Sequence, residues 1–288
     1  MLADEPALFT DYAVWLRKVL ESRKVPTGHL AESFELLAAF FTGHLPATVA
    51  ARLNQLLAAG EDALRRDDGC DPYRYARHPR LPETARYLEQ VLRGDQRGAQ
   101  ETFNACMGNG ASLSEASVRL LQPAMVEVGH LWQENRITVA QEHLATALSQ
   151  NVLARAYMHA SFAAPVERKL MLACVAGNHH GLGLRIVCDA FETIGWDVSY
   201  LGTDVPTAGL TRQIDAERPD MLCLSLSLPA HLPLARGILE ELRAELGERC
   251  PPIMVGGQVT LGGERVWRAV KADGWASDAL HAIAQFPQ

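Results

Sequence analysis

Several features that would narrow a function at once are missing from this sequence. Its six cysteines (Cys70, Cys106, Cys174, Cys188, Cys223 and Cys250) form no C-x-x-C pair, which removes the common zinc-ribbon and dithiol patterns. Several lie in apolar runs where a thiol behaves as a small hydrophobe, so the pattern reads as that of a reducing interior. The formal charge is −7 and no Lys/Arg cluster interrupts it, so no direct nucleic-acid surface is expected. No apolar stretch approaches the ~18 residues of a membrane span. The opening Met-Leu-Ala-Asp-Glu-Pro lacks the basic-then-apolar order of a signal peptide, and the expected location is the cytoplasm. There is no P-loop, no H-E-x-x-H, no paired-carboxylate motif and no Ser/His/Asp arrangement to suggest a hydrolase. Isolated acids such as Asp189, Asp204 and Asp215 read as solvated loop or helix residues.

What is present is an ordinary globular composition, 48% hydrophobic and 21% charged over 288 residues, enough for two modest domains. From Leu8 to about Leu64 apolar residues recur at helical spacing, with breaks near Pro26-Thr27-Gly28 and Leu45-Pro46, so three helices are expected. The stretch from Arg65 to Pro82 holds three prolines and little periodicity, and reads as a linker. From Glu83 to about Phe162 the helical period returns. Capping-box patterns at Ser112-x-x-Glu115 and Thr138-x-x-Gln141 mark helix starts, and the second places Glu142 and His143 in the opening turns of a long final helix. Four helices joined by short turns predict an antiparallel bundle.

After Ala164-Pro165 the pattern changes to short apolar runs at 169–176, 196–201, 220–226 and 252–255, with a weaker fifth at 274–276, each of the first four followed by a helix-compatible segment. Continuous apolar strands alternating with helices indicate a parallel sheet covered on both faces. The predicted architecture is α + α/β: an N-terminal helical region and linker (1–81), a four-helix-bundle cap (82–165), and a flavodoxin-like, Rossmann-like parallel five-stranded domain (166–288). In such sheets a ligand sits beyond the carboxyl ends of the strands, where strand order reverses. The loops after the first, third and fourth runs then matter most. They hold Asn178 to Gly183, Ser225-Leu226-Ser227, and Gly256-Gly257.

His179 and His180 share the first of these loops. A loop histidine is often simply solvated, but imidazole is also the commonest neutral metal ligand and is usually oriented by a partner on its other nitrogen. Asn178 is a candidate for that partner. No zinc set accompanies the pair, so a single protein ligand makes sense only for a metal already held by another scaffold, such as a macrocycle.

Asn178-x-His180-x-x-Gly183, 41 residues to Ser225-x-Ser227 and 28 more to Gly256-Gly257 resemble the D-x-H-x-x-G, S-x-L and G-G signature of the cobalamin-binding domains of methionine synthase and corrinoid proteins. The resemblance implies that His180 displaces the dimethylbenzimidazole base and ligates cobalt, while the freed nucleotide tail lies against Ser225, Ser227, Gly256 and Gly257. Two departures stand out: Asn178 in place of Asp, which supplies no negative charge and implies a less basic ligand, and Ser227 in place of Leu.

Trp132, nine residues, then Glu142-His143 is similar to the Trp-x9-Glu-His pattern of light-sensing transcriptional regulators of the CarH type, which bind adenosylcobalamin. By that resemblance Trp132 packs on the adenosyl group and Glu142 hydrogen-bonds it. The plainer reading makes Trp132 a core aromatic and Glu142 an acid favoured by the helix dipole. The position after the Trp, a histidine in that family, is Gln133 here. The N-terminal helices also lack a basic recognition helix. The resemblance therefore implies a stand-alone sensory module with a protein–protein output, through self-association as a dimer or a regulatory partner. Related photocobilins carry a linear tetrapyrrole as well. The linker residues Tyr73, Arg74, Tyr75, Arg77 and His78 suit a bilin such as biliverdin, although a charged linker is the preferred reading. The enzyme-class alternative is a corrinoid methyl carrier serving methyltransferases.

Overall fold

The computed structural model describes residues 6–66, 81–262 and 264–286. The linker residues considered for a bilin, 73–78, lie outside them. By internal contacts the chain forms two compact units, one of residues 1–77 with 129–139, the other of 78–128 with 140–288.

In the first unit, α1 (Pro6–Ser22), α2 (Gly28–His44) and α3 (Ala47–Arg65) break where the prolines and glycine predict. Ala13, Leu30, Phe34 and Leu57 form their common core. The Arg17 guanidinium, buried with them, donates to the Leu64 carbonyl at 2.6 Å and so closes the last turn of α3.

The second unit begins with α4 (Thr84–Arg93) and α5 (Gln96–Gly108), separated by Gly94 in the left-handed conformation and by Asp95, which caps α5 through the Gly98 amide at 2.9 Å. Ser112 and Glu115 make the reciprocal capping box expected of them. The helix they start is not uniform: α6 (Leu113–Ala116) passes through a π turn at Ser117–Leu121 into α7 (Gln122–Gln133), whose last residues belong to the first unit. α8 (Val139–Tyr157) completes the helical region. Phe103, Leu120, Leu121 and Leu153 fill the space between these helices, and the buried Tyr87 hydroxyl reaches Ser149 at 3.1 Å.

The α/β part of this unit is a five-stranded parallel sheet in the order β2-β1-β3-β4-β5, formed by β1 (Lys169–Val175), β2 (Asp197–Val205), β3 (Met221–Ser225), β4 (Ile253–Gly256) and β5 (Gly274–Trp275). α9 (Leu182–Thr193) follows β1, α10 (Thr207–Glu217) follows β2, and α11 (His231–Leu246) follows β3. Met171, Leu172, Ala173, Leu222, Leu224 and Val255 are essentially sealed from water, as strands covered on both faces require. Register matters for function here, because Cys174 pairs with Ser225 and Ser225 with Gly256. The loops after β1, β3 and β4 therefore leave the sheet at one level, side by side.

β2 runs four residues beyond its apolar stretch. Gly202, at φ +83, and irregularities in its pairing with β1 let it continue to Val205. Asp204 then donates its amide to the Asn178 carbonyl at 3.1 Å and accepts the Gly177 amide at 2.7 Å. One expectation fails here. Asp189 is not solvated but 1% exposed on the inner face of α9, where Arg185 one turn earlier pairs with it at 2.7 Å. Burial lifts its carboxyl to about 7 against the pull of Arg185.

Candidate corrinoid site

The loop after β1 is shaped by one side chain. Asn178 has no solvent exposure, and its amide oxygen accepts both the backbone N–H of His180 and the ring Nδ1–H of His180, each at 3.1 Å. Its amide nitrogen donates to the Ser225 carbonyl at 2.8 Å, which sets the orientation of the amide. With Nδ1 committed as a donor, Nε2 of His180 carries the lone pair, the tautomer a metal ligand needs. The residue as a whole is exposed, while its ring is partly buried where it meets Asn178. Desolvation pushes its pKa below the ordinary value, the Glu142 carboxylate pulls it back up, and His179 adds to the lowering. The neutral imidazole is thus the favoured form, and Glu142 on α8 lies within electrostatic reach of it.

Asparagine at 178 has a local reason. A carboxylate there would set a second acceptor oxygen against the Ser225 carbonyl, whereas the amide supplies a donor. The tie between the β1 and β3 loops therefore depends on the residue that departs from the family signature.

A second tie runs through His231, a residue the sequence reading passed over. It opens α11, is 4% exposed, and accepts the amides of Ser227 and Leu228 on Nδ1 at 3.2 and 3.1 Å. It also hydrogen-bonds the Gly177 backbone, so the proton sits on its other nitrogen. Burial, then the neighbouring His180, lower its pKa. No spacing rule points to a histidine four residues after Ser227. Only its partners reveal it.

The glycines divide into two kinds. At Gly257, φ is +101 and a Cβ would lie 2.3 Å from the Leu226 carbonyl oxygen, so the protein's own backbone demands glycine. At Gly183, in the first turn of α9, a Cβ would meet nothing within 4 Å. Packing does not require that glycine, and the open turn leaves room for a bulky group. Ser225 is buried at the end of β3, where its hydroxyl meets the Cys174 thiol, while Ser227 and Gly256 are half-buried beside it. Together these features fit a corrinoid: one oriented imidazole, an open first helical turn, and three aligned loops of small residues.

On α8, Glu142 is held through both oxygens, by the Thr146 hydroxyl at 2.9 Å and by His143 Nδ1 at 2.5 Å. His143 is exposed, as are Val139 and Leu144. His130, on α7, is buried at 5% exposure. Trp132 lies near the end of α7 in the first unit, half-buried, with the Arg23 guanidinium 5.3 Å from its ring centroid.

Comparison with known proteins agrees with this chemistry. Residues 168–284 match a family model described as B12 binding domain, and residues 84–157 match a second of the same description. The HTH-type transcriptional repressor CarH of Myxococcus xanthus is 36% identical over 142 residues, 48% of this chain and 45% of the relative. The repressor CarA of the same organism is 40% identical over 90 residues, 31% of each. The chain thus spans less than half the length of either repressor. The monomethylamine corrinoid protein of Methanosarcina barkeri shares the fold, with a TM-score of 0.59 at 18% identity over 69% of this chain and 94% of that one. The chain carries B12 binding domains over both its helical and its α/β stretch, and is a cobalamin-binding protein that resembles CarH.

Proposed function

We propose that the chain is a light-sensing regulatory module that holds adenosylcobalamin base-off, with His180 as the lower cobalt ligand. The observation that carries the reading is the Asn178–His180 pair, which presents a neutral, oriented imidazole beside three aligned loops. When bound, the cofactor supplies a cobalt–carbon bond that visible light breaks. The chain's own residues do the rest. Asn178 holds the proton on Nδ1 and leaves Nε2 for the metal. Ser225, Ser227, Gly256 and Gly257 line the path of the nucleotide tail, and Gly183 leaves room at the start of α9. Glu142, steadied by Thr146 and His143, offers a carboxylate to the upper ligand, and Trp132 takes its role from the Trp-x9-Glu-His spacing. Glu142 and Trp132 would lose a partner once a bulky upper ligand left, and a helical cap that loses differential contacts would change its preferred arrangement. The output is protein–protein, by self-association or through a regulatory partner.

The experiment is an absorption spectrum of the protein loaded with adenosylcobalamin in the dark, then illuminated, with size-exclusion chromatography before and after. The reading requires a light-induced spectral change and an altered elution volume. An unchanged spectrum would overturn it. The methyl-carrier reading is favoured by the shared fold of the methylamine corrinoid protein. It predicts methylcobalamin bound at least as tightly as adenosylcobalamin, whereas Glu142 favours the larger ligand.

A further inference from the structure

The end of α7 is closed twice. Asn135, in the left-handed conformation, ends it in the ordinary way, its amide donating to the Trp132 carbonyl at 3.0 Å and the Arg136 amide to the Leu131 carbonyl at 2.9 Å. A second set of partners comes from the last residue of α1 and the turn after it, more than a hundred residues earlier in the chain. The Ser22 hydroxyl donates to the Gln133 carbonyl at 2.8 Å, Arg23 Nη1 to the same carbonyl at 3.0 Å, and Arg23 Nη2 to the Trp132 carbonyl at 3.3 Å. Asn135, in the left-handed conformation at φ +57, returns its side-chain amide to the Ser22 carbonyl at 3.4 Å. The same guanidinium lies over the Trp132 indole. One planar cation thus complements the negative end of the α7 dipole and holds the aromatic ring by its face. A residue serving only as a cap has no need to cover the ring.

We infer that Arg23 is the positioning residue for Trp132, and that through this guanidinium the three N-terminal helices set the orientation of the indole. The inference rests on the proposed role of Trp132 and adds what holds its ring. The first unit is built accordingly, since the segment 129–139 that carries Trp132 clusters with α1, α2 and α3. Burial of Arg17 and closure of α3 onto α1 make those helices one body, so a displaced Arg23 moves them together.

The test uses the full chain with 5-fluorotryptophan incorporated, and Trp132→Phe to assign the Trp132 resonance. In the protein without cofactor, Arg23→Met shifts and broadens the Trp132 resonance while those of Trp196, Trp267 and Trp275 stay in place, and Arg23→Lys, which keeps a cation over the ring, moves it less. With cofactor, Arg23→Met weakens adenosylcobalamin by about five- to tenfold and methylcobalamin hardly at all, the scale of one lost cation–π contact and its helix-end bonds. An unmoved Trp132 resonance or equal losses for the two cobalamins overturns the inference. Failure of the wild type to retain any cobalamin while Arg23→Met still moves the resonance instead overturns the reading of the site.

Discussion

The loop after β1 and the opening turn of α8 both carry a histidine beside a polar partner, yet they are built oppositely. In the loop, Asn178 is sealed from solvent with both ends of its amide engaged, and His231 fastens the neighbouring loop from the other side. In α8, Val139 is 51% exposed, Leu144 43%, and the His143–Glu142 pair lies at the surface. The first region is finished by the protein's own hydrogen bonds, which orient the imidazole without a ligand. The second leaves Val139 and Leu144 exposed among the described residues. The proposed sensor would use that asymmetry: a fixed grip on one side, and on the other a face whose contacts depend on what is bound.

The sharpest way to break the comparison is His180→Ala. Cobalamin retention falls by more than about a hundredfold, beyond the range of outer-shell effects, and the nitrogen coupling in the electron paramagnetic resonance spectrum of the cobalt(II) form disappears. Retained coupling would mean that the oriented imidazole is not the ligand. Asn178→Ala costs about 10- to 100-fold in retention while leaving His180 in place. Asn178→Asp separates the two duties of that residue. It strengthens the ligand through its charge but lowers unfolding stability by about 1–3 kcal/mol, because Ser225 loses its donor.

His231→Gln removes the tie between the β1 and β3 loops and lowers stability by about 1–3 kcal/mol near neutral pH, read by denaturant unfolding of the protein without cofactor. The sign of its pH dependence follows from its lowered pKa. Its contribution is complete above the unfolded value of about 6.5 and is lost as pH falls from there through the folded value, so wild type and variant converge on acidification. Asp189, lifted to about 7, works the other way, and its contribution falls as pH rises from about 4 to 7. The difference between wild type and His231→Gln cancels that slope. The smallest effect belongs to Glu142→Gln, a shift of about threefold in the ratio of adenosyl- to methylcobalamin affinity with no change in unfolding, the scale of one solvent-accessible hydrogen bond.

The doubly wound sheet was legible because strands buried on both faces need unbroken apolar runs, and β1, β3 and β4 have them. Helix starts were legible where capping is local, as at Ser112 and Glu115. The end of β2 was not, since Gly202-Thr203-Asp204-Val205 is too polar to read as strand and pairs only because the β1 loop offers it partners. Asp189 was misread for the same kind of reason. Its sequence neighbours suggest a solvated helical acid, and only the packing of α9 against the sheet shows which face it occupies.

By itself, then, the sequence determined the alternation of elements, the three loops of small residues that end β1, β3 and β4, and the histidine proposed for cobalt, because periodicity, caps and loop motifs are properties of neighbouring residues. Tertiary structure decided which polar groups meet: Asn178 with Ser225, His231 with Gly177 and Ser227, Arg23 with Trp132. Those pairs are dozens to more than a hundred residues apart or turn on which nitrogen of a ring is free. Hydrogen bonds of that kind have no signature along the chain, since they exist only once strand order and register have brought distant loops to one edge.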